Sequence, residues 1–410
     1  MANTLKLGNG KWATGKDTLM SFSDTNNNFK PLPFDFSRAS SATVVNQSGL
    51  IETVGSGTPR IDFEGNTKGA LLLEPQRTNL ITYSNDFSQS AWVKSGTSVV
   101  SGFTSPYKTE NAFKLVESSA NQAHTITSST GVVTSGATTT KSIIVKPNGR
   151  RWILLLDIHK PSSRAWFDLE LGVVGSLQPN TISSKIEKLS NGYFRCSSTS
   201  AVGGTSSKLR MDIVTGNNIT TGYQGDGTSG VYIYGAQLEV GSYPTSIIFT
   251  SGSAVTRVQD TCNQTVPNGV IGQTEGTVYL DFTADTISAQ TSNPVLWYMK
   301  DGGIGERYIE LYSNGSLVYL ENNGSTIANI TKTGLTVGRH KCVIAYKNND
   351  MVFYVDGVQV GSDVSGTPSG FSTFGLQYHQ SFYTGQQKVN QVKLYNTRLS
   401  NAELAALTTI

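Results

Sequence analysis

The chain has 410 residues, more than one ordinary core holds, so two or three folded units are expected. Charged residues make up only 15%, against about 25% in a typical soluble domain, and Ser, Thr, Asn and Gly replace them. The 17 Tyr and 16 Phe exclude a disordered chain, and a net charge of +3 without Lys or Arg clusters excludes a nucleic-acid binder. Neutral polar residues that alternate with aromatics favour strands with one wet face, so we predict an all-β protein.

Residues 1–77 are expected to be irregular but to contain strands. Pro31 and Pro33 exclude a helix from "DTNNNFKPLPF". The strand-like pieces "SATVV", "GLIETV", "PRIDF" and "GALLLEP" are too short to bury a core of their own. We therefore expect this region to dock on another surface or to form sheet between subunits, and removal of residues 1–75 to leave soluble domains.

Regular strands are predicted from residue 78 onwards, in two sets. Residues 78–262 contain "KSIIVKP", "RWILLLDIH", "AWFDLEL" and "GVYIYGAQLEV", separated by turns without helical segments. Residues 263–410 contain "GTVYLDFTA", "RYIELYSNGSLVYLE" and "HKCVIAYKNNDMVFYVDGVQVG". Short strands at this spacing indicate two β-sandwich domains.

Two local signals near the C-terminus predict defined structure. Asp356 and Gly357 lie between alternating apolar residues, the pattern of a tight type I′ hairpin. In "LSNAELAAL", Ser400 is followed three residues later by Glu403, a capping box that opens a short helix. This helix is expected to pack its leucines on the second sandwich.

Several longer blocks resemble tailed-bacteriophage virion proteins, including fibre or appendage proteins of crAss-like phages. "RTNLITYSNDFSQSAW" (77–92) and "GAQLEVGSYPTSIIFTSGSAVTRVQD" (235–260) resemble the opening and closing segments of a carbohydrate-binding-like jelly roll. "VKLYNTRLSNAELAAL" (392–407), with "FYVDGVQVG", resembles the end of a concanavalin-like, laminin-G-type sandwich. "FDFSRASSATVV" with "GLIETV" and "PRIDF" resembles the N-terminal block that precedes such domains.

The resemblance implies a head fibre or tail fibre on the virion surface, made in the bacterial host cytoplasm. It implies a homotrimer that is attached to other virion proteins of the capsid or tail by residues 1–77. The jelly roll would then occupy residues 78–262 and the concanavalin-like domain residues 263–410. The sequence shows no signal peptide and no apolar run long enough to cross a membrane, so a soluble chain without membrane insertion is expected.

Catalytic residues are not expected. Retaining glycosidases need two carboxylates about 5 to 5.5 Å apart, which a Glu-x-Asp pattern on a strand would supply. The chain lacks that pattern, and the nearest approach is Glu306 and Glu310 on one strand face, which a solvated face also explains. A tailspike-type glycan depolymerase and a purely structural scaffold of the tail or capsid remain the alternatives to a glycan-binding fibre.

Glycan binding needs exposed aromatic rings on which a sugar can stack. The candidates are Trp152 and Trp166 in the middle domain and Trp297, Tyr298 and Tyr378 in the last. The competing interpretation is that these residues fill the core of a β-sandwich, as aromatic residues more often do.

A cofactor or a metal is not expected, with Ca²⁺ as the one exception considered. The glycine-rich loops "YQGDGTSG" and "MKDGGIGE" could hold Ca²⁺ through Asp226 or Asp301. Ca²⁺ takes six or more oxygen ligands, however, and each loop offers few, so plain turns are the competing interpretation.

Overall fold

The computed structural model describes residues 4–8, 13–15, 18–20, 22–23, 33–107, 111–265, 271–285, 287, 293–303, 305–312, 314–366, 370–377 and 385–410, with side chains from residue 35 onwards. The chain forms two compact units. Unit 1 comprises Met1–Gln47, Val54–Pro75 and Val258–Ile410. Unit 2 comprises Ser48–Thr53 and Gln76–Arg257.

Strands dominate the described residues. The first group is β1 Thr4–Gly8, β2 Ala13–Gly15, β3 Thr18–Met20, β4 Phe22–Ser23, β5 Pro33–Ser37, β6 Ala42–Val45, β7 Ile51–Val54, β8 Arg60–Asp62, β9 Ala70–Leu73 and β10 Arg77–Asn79. The second is β11 Val93–Ser95, β12 Thr97–Thr104, β13 Asn111–Glu117, β14 Asn121–Gln122, β15 His124–Thr127, β16 Gly131–Val132, β17 Thr138–Asn148, β18 Trp152–Asp157, β19 Lys160–Asp168, β20 Val173–Leu177, β21 Thr181–Lys188, β22 Phe194–Ala201, β23 Ser206–Ser207, β24 Leu209–Val214, β25 Tyr223–Gln224, β26 Gly230–Val240 and β27 Val255–Arg257, with a 3₁₀ turn at Ser190–Gly192. The third is β28 Thr261–Thr265, β29 Glu275–Ala284, β30 Val295–Lys300, β31 Gly305–Leu311, β32 Leu317–Asn323, β33 Thr326–Lys332, β34 Gly338–Lys347, β35 Asp350–Val355, β36 Val358–Asp363, β37 Thr373–Leu376 and β38 Gln387–Tyr395, followed by the helix α1 Asn401–Thr408.

Two antiparallel sheets form the sandwich of unit 1. Sheet A runs β36-β35-β34-β29-β38-β1-β4, with β9 also paired to β38 and β8 to β9. Sheet B runs β2-β3-β5-β28-β37-β30-β31-β32-β33. Alternate residues of both sheets point into one shared apolar core, where the rings of Tyr319 in sheet B and Phe353 in sheet A lie 6.4 Å apart.

Unit 2 is a second sandwich. Sheet C runs β11-β15-β24-β18-β19-β20, and sheet D runs β12-β13-β26-β17-β22-β21. In β18 the inward residues Ile153 and Leu155 enter the core between the sheets, whereas Leu154 and Leu156 form a smaller cluster on the outer face. The continuous apolar run "WILLL" reflects a strand that is buried on both faces. The predicted all-β fold with sandwich-like sheets is confirmed.

Both local predictions at the C-terminus are confirmed. The turn between β35 and β36 has φ of 50° at Asp356 and 82° at Gly357, as a type I′ hairpin requires. Ser400 caps α1, since its hydroxyl accepts from the Glu403 amide and the Glu403 carboxylate accepts from the Ser400 amide at 2.8 Å. Leu404 of the helix is buried on sheet A.

The N-terminal residues add strands to unit 1. Strands β1 and β9 pair with β38, and β5 pairs with β28. Among the short pieces identified in the sequence, "GALLLEP" (β9) pairs with β38, "PRIDF" (β8) pairs with β9, and "SATVV" (β6) pairs with "GLIETV" (β7). The boundaries between the two units fall at residues 47/48, 53/54, 75/76 and 257/258, where the sequence led us to expect 77/78 and 262/263. Met1–Gln47 and Val54–Pro75 belong to the same unit as Val258–Ile410, and Ser48–Thr53 belongs to unit 2.

A buried ion network, here called the N-terminal clasp, holds these pieces together. It consists of Arg38, Arg60, Glu74 and Asp260, whose side chains are completely buried. Arg38 Nη1 lies 3.1 Å from Asp260 Oδ1, and Arg60 Nη1 lies 2.6 Å from Glu74 Oε2. Arg60 also donates to the second oxygen of Asp260. Arg38 of "FSRAS", Arg60 of "PRIDF", Glu74 of "LLEPQ" and Asp260 of "RVQD" thus have one shared structural role.

Candidate functional site

Two tyrosines lie side by side on the outer face of sheet B. The register places Gly375 of β37 opposite Tyr298 of β30, Tyr298 opposite Tyr308 of β31, and Tyr308 opposite Leu320 of β32. Residues opposite each other on neighbouring strands point to the same face and stand about 5 Å apart. We call Tyr298, Tyr308, Leu320 and Gly375 the tyrosine face.

Gly375 gives the Tyr298 ring room to lie down on the sheet. A β-carbon at Gly375 would overlap the Cε1, Cζ and Oη atoms of Tyr298, so the ring lies across this glycine. The neighbouring Tyr308 is fixed at its hydroxyl, which accepts from Asn322 Nδ2 at 3.3 Å. Both tyrosines are half-buried and keep part of their surface at the solvent. The arrangement is an aromatic surface that lies on Gly375 and is bordered by the Asn322 amide.

The outer face of sheet A, on the other side of unit 1, is covered by a helix. On sheet A, Tyr279, Val343 and Val352 are buried in a cluster with Leu404 of α1. The helix therefore covers the apolar outer face of sheet A, whereas the aromatic residues of the tyrosine face remain partly exposed.

Charged and amide side chains follow the tyrosine face along its strands. Lys300, two residues after Tyr298, forms an ion pair of 2.8 Å with Glu306 on the next strand. Glu306 and Asn322 stand opposite each other and line a pocket together with Gly305, Asn323, Ile327 and Phe371. The buried ion pair of Arg307 and Glu321 forms its inner wall.

The five predicted aromatic candidates differ in how exposed their rings are. Trp166 and Trp297 are fully buried, so neither offers a ring face to a sugar; for these two the prediction is wrong. Trp166 Nε1 donates to the Ile219 carbonyl at 2.8 Å, and Trp297 packs on Phe374 in the core. Tyr298 belongs to the tyrosine face, and Tyr378 lies outside the described residues.

Trp152 is half-buried on the outer face of unit 2. A β-carbon at Gly175 would come within 2.9 Å of its ring, and the Arg151 guanidinium lies 6.0 Å from the ring centre. It is thus a supported, half-buried ring that packs against the outer-face cluster containing the fully buried Trp166.

Sequence reasoning missed Tyr308, which faces outwards beside Tyr298. The alternation in "ERYIEL" carried the signal, because Ile309 points into the core and its neighbours Tyr308 and Glu310 must point away from it. Pairing of β31 with β30, which the sequence does not encode locally, brings the two tyrosines together.

The carboxylates of Asp226 and Asp301 both accept hydrogen bonds from amides of their own turns. The Asp226 carboxylate accepts the amides of Thr228 and Ser229 at 2.7 and 2.6 Å and both of their hydroxyls, and these hydrogen bonds hold its pKa well below its ordinary value. The Asp301 carboxylate accepts from the amides of Gly303 and Gly305 at 2.8 and 3.2 Å. Within the described ranges, no three His, Cys, Asp or Glu side chains converge as metal ligands.

The carboxylates that sequence analysis considered for catalysis are separated. Glu306 and Glu310 lie four residues apart on one strand, about 13 Å along it, beyond the spacing of either glycosidase class. Elsewhere in unit 1, Asp62, Glu64 and Asp285 converge on the Lys388 ammonium at 3.1, 3.1 and 3.5 Å. Burial alone would lower the pKa of Lys388, but the three carboxylates outweigh it and hold that pKa above its ordinary value. The Lys388 ammonium therefore offsets part of the negative charge of these three carboxylates.

Comparisons with known proteins give partial structural similarities. No protein-family model matches the sequence, and no curated protein does. Among solved structures, the Ruminococcus gnavus IT-sialidase CBM40 bound to α2,3-sialyllactose is 14% identical over 34% of this chain and 84% of its own, with a TM-score of 0.29. Domain 4 of AbnA, a GH43 arabinanase from Geobacillus stearothermophilus, in complex with arabinotriose is 14% identical over 37% of this chain and 73% of its own, with a TM-score of 0.30. The binding domain of Botulinum neurotoxin DC in complex with rat synaptotagmin II is 14% identical over 36% and 39%, with a TM-score of 0.29.

Similarities at this level do not establish a shared function. Among the described residues, no helix has the length and apolar character that crossing a membrane requires.

Proposed function

We propose that this protein is a glycan-binding subunit of a tailed-phage virion surface, a head fibre or tail fibre, and that the tyrosine face contacts the glycan. One observation carries the binding proposal: Tyr298 lies across Gly375 with Tyr308 directly beside it on a partly exposed sheet face. Sugars present flat apolar C–H faces, and a ring that is held flat binds them without losing rotamer freedom.

The virion assignment is supported by the sequence blocks that resemble phage fibre proteins. The proposal includes a homotrimer that attaches to capsid or tail proteins through residues 1–77. Because Met1–Gln47 and Val54–Pro75 belong to unit 1, that unit would present most of the attachment surface.

Binding without bond cleavage is part of the proposal. Glu306 and Glu310 are too far apart along β31 for a glycosidase pair, and the convergent carboxylates around Lys388 are held by its ammonium. A depolymerase would need an acid and a base at a spacing that these residues do not supply.

The test is a glycan array of purified host capsular and cell-wall polysaccharides, probed with the full chain. We expect binding to specific glycans and no new reducing ends in a parallel incubation. Release of reducing ends would contradict the proposal and favour the depolymerase alternative. An array without signal would favour the scaffold alternative. Antibody against residues 263–410, visualised on phage particles by electron microscopy, tests the virion assignment separately.

A further inference from the structure

A lysine and an aspartate meet inside the core of unit 2. Lys141 lies on β17 of sheet D, two residues before the core residue Ile143, and Asp157 ends β18 of sheet C, two residues after the core residue Leu155. Alternate residues of a strand point to the same side, so both side chains enter the space between the two sheets. Lys141 Nζ lies 3.1 Å from Asp157 Oδ2, and both side chains are buried.

Two hydroxyl groups orient the Lys141 amine. Its Nζ donates to Thr139 Oγ1 at 3.0 Å and to Ser200 Oγ at 2.7 Å. Together with Asp157, these acceptors account for the three N–H donors of an ammonium group. Burial lowers the pKa of Lys141 below its ordinary value, which favours the neutral amine, the nucleophilic form of lysine.

The Asp157 carboxylate is held at both of its oxygens. Oδ1 accepts from the amides of His159 and Lys208 at 3.0 and 3.3 Å. Two N–H groups in this arrangement stabilise the negative charge that an oxygen gains when the carbon beside it is attacked. Oδ2 accepts from the Ser207 hydroxyl and from Lys141, so two proton donors are directed at it. One oxygen is thus placed as an oxyanion and the other as a leaving group.

We propose that Lys141 and Asp157 form an intramolecular amide bond that cross-links sheets C and D of unit 2. The bond would close residues 141–157 into a covalent loop. This modification goes beyond glycan binding and does not depend on it.

The reaction needs no other reactant. Burial alone would raise the pKa of Asp157, but the Lys141 charge and the hydrogen bonds to the carboxylate outweigh it, so the pair starts as ammonium and carboxylate. The Nζ–Cγ bond forms, the Cγ–Oδ2 bond breaks, and two protons of the ammonium leave with Oδ2 as water. The core holds the two groups in contact and excludes bulk water, and both conditions accelerate a reaction between neighbouring groups.

A buried lysine of unit 1 provides an internal comparison. Lys388 Nζ also lies 3.1 Å from an aspartate, Asp62, but Glu64 and Asp285 contact it as well. Burial alone would lower the pKa of Lys388, but the three carboxylates hold it above its ordinary value. Lys388 therefore keeps its protons, and we expect no amide bond there.

Intact-mass spectrometry of the purified, denatured full chain tests the proposal on the unaltered protein. We expect a mass that is lower than the mass of the sequence by one water molecule. Trypsin cuts after Arg150 and Arg151, between the two residues, so tandem mass spectrometry should find the peptide with Lys141 linked to the peptide with Asp157.

Two variants on the same strand complete the test. Lys141→Met is expected to have the full mass of its sequence. Lys146→Met is the matched control and should still lack one water molecule, because Lys146 Nζ lies over the rings of Tyr193 and Tyr232 and not at the Asp157 carboxylate.

The opposite results would overturn the proposal. They are a wild-type chain with the full mass of its sequence, a loss of water that maps to other residues, and a loss of water that persists in Lys141→Met. Because the linkage is mapped in the wild type, poor folding of a variant would not change the conclusion.

Discussion

Arg38 and Asp260 form a fully buried ion pair of 3.1 Å although 222 residues separate them in the sequence. Arg38 also donates to the carbonyls of Ser40, Gly55 and Thr58, so one guanidinium ties together several turns of the N-terminal region. The pair explains why the N-terminal pieces are part of a folded unit although none of them could form a core alone.

Arg60→Met is expected to destabilise unit 1 strongly. The substitution leaves Glu74 buried without its Arg60 counterion and removes one of the two arginines on Asp260, a loss that typically costs about 3–5 kcal/mol. Denaturant unfolding measures this loss in the free energy of unfolding. Lys347→Met is the control, because its ion pair with Glu275 is exposed and should change stability by less than about 1 kcal/mol. Similar effects of both substitutions would contradict a stabilising clasp.

Gly375→Ala is expected to weaken glycan binding without unfolding the chain. The added methyl group would overlap the Tyr298 ring and lift it from the sheet. Affinity should fall about tenfold in the wild-type background but remain unchanged in a Tyr298→Ala background, because the two substitutions act through the same ring. Equal losses in both backgrounds would show that Gly375 acts independently of Tyr298.

Acid is expected to destabilise the loop of unit 2 that contains Asp226. Hydrogen bonds from Ser229 and Thr228 lower the pKa of this carboxylate from 3.8, so its contribution to stability is complete above about pH 4 and is lost as the pH falls further. Wild type should therefore lose more stability between pH 5 and pH 2.5 than Asp226→Asn does, measured by denaturant midpoints. Parallel pH profiles of the two proteins would refute this assignment.

Ser400→Ala is expected to cost about 1 kcal/mol, because it removes the hydroxyl that caps the Glu403 amide at the start of α1. The matched control is Ser362→Ala, at an exposed position of β36. A thermal-unfolding midpoint that falls only for Ser400→Ala would support the cap, and equal midpoints would argue that α1 adds little to the stability of unit 1.

The sequence predicted what depends on local chemistry. The Asp356–Gly357 turn, the Ser400–Glu403 cap and the strand character of most segments follow from residue types within a few positions of each other. The sequence also led to the expectation that residues 1–75 could be removed. The structure argues otherwise, since Arg60 and Glu74 contact Asp260 through pairings that only the folded chain creates.

Only part of the tyrosine face could be predicted from the sequence, because its other residues meet through long-range pairing. Tyr298 could be selected as an aromatic residue, but its difference from the adjacent Trp297 depends on which face of β30 points to the core. Tyr308 becomes a partner only through the register of β31, and Gly375 only through that of β37. Long-range strand register is encoded by the sum of the core contacts, which no short motif contains.

The most direct test of glycan binding by the tyrosine face is the affinity of the full chain for its strongest array glycan, measured for wild type, the double variant Tyr298→Ala/Tyr308→Ala, and Tyr395→Ala. Tyr395 is a half-buried tyrosine of sheet A and serves as the control. We predict that the double variant loses at least about tenfold in affinity while Tyr395→Ala binds like wild type. Undiminished binding by a correctly folded double variant would contradict the account.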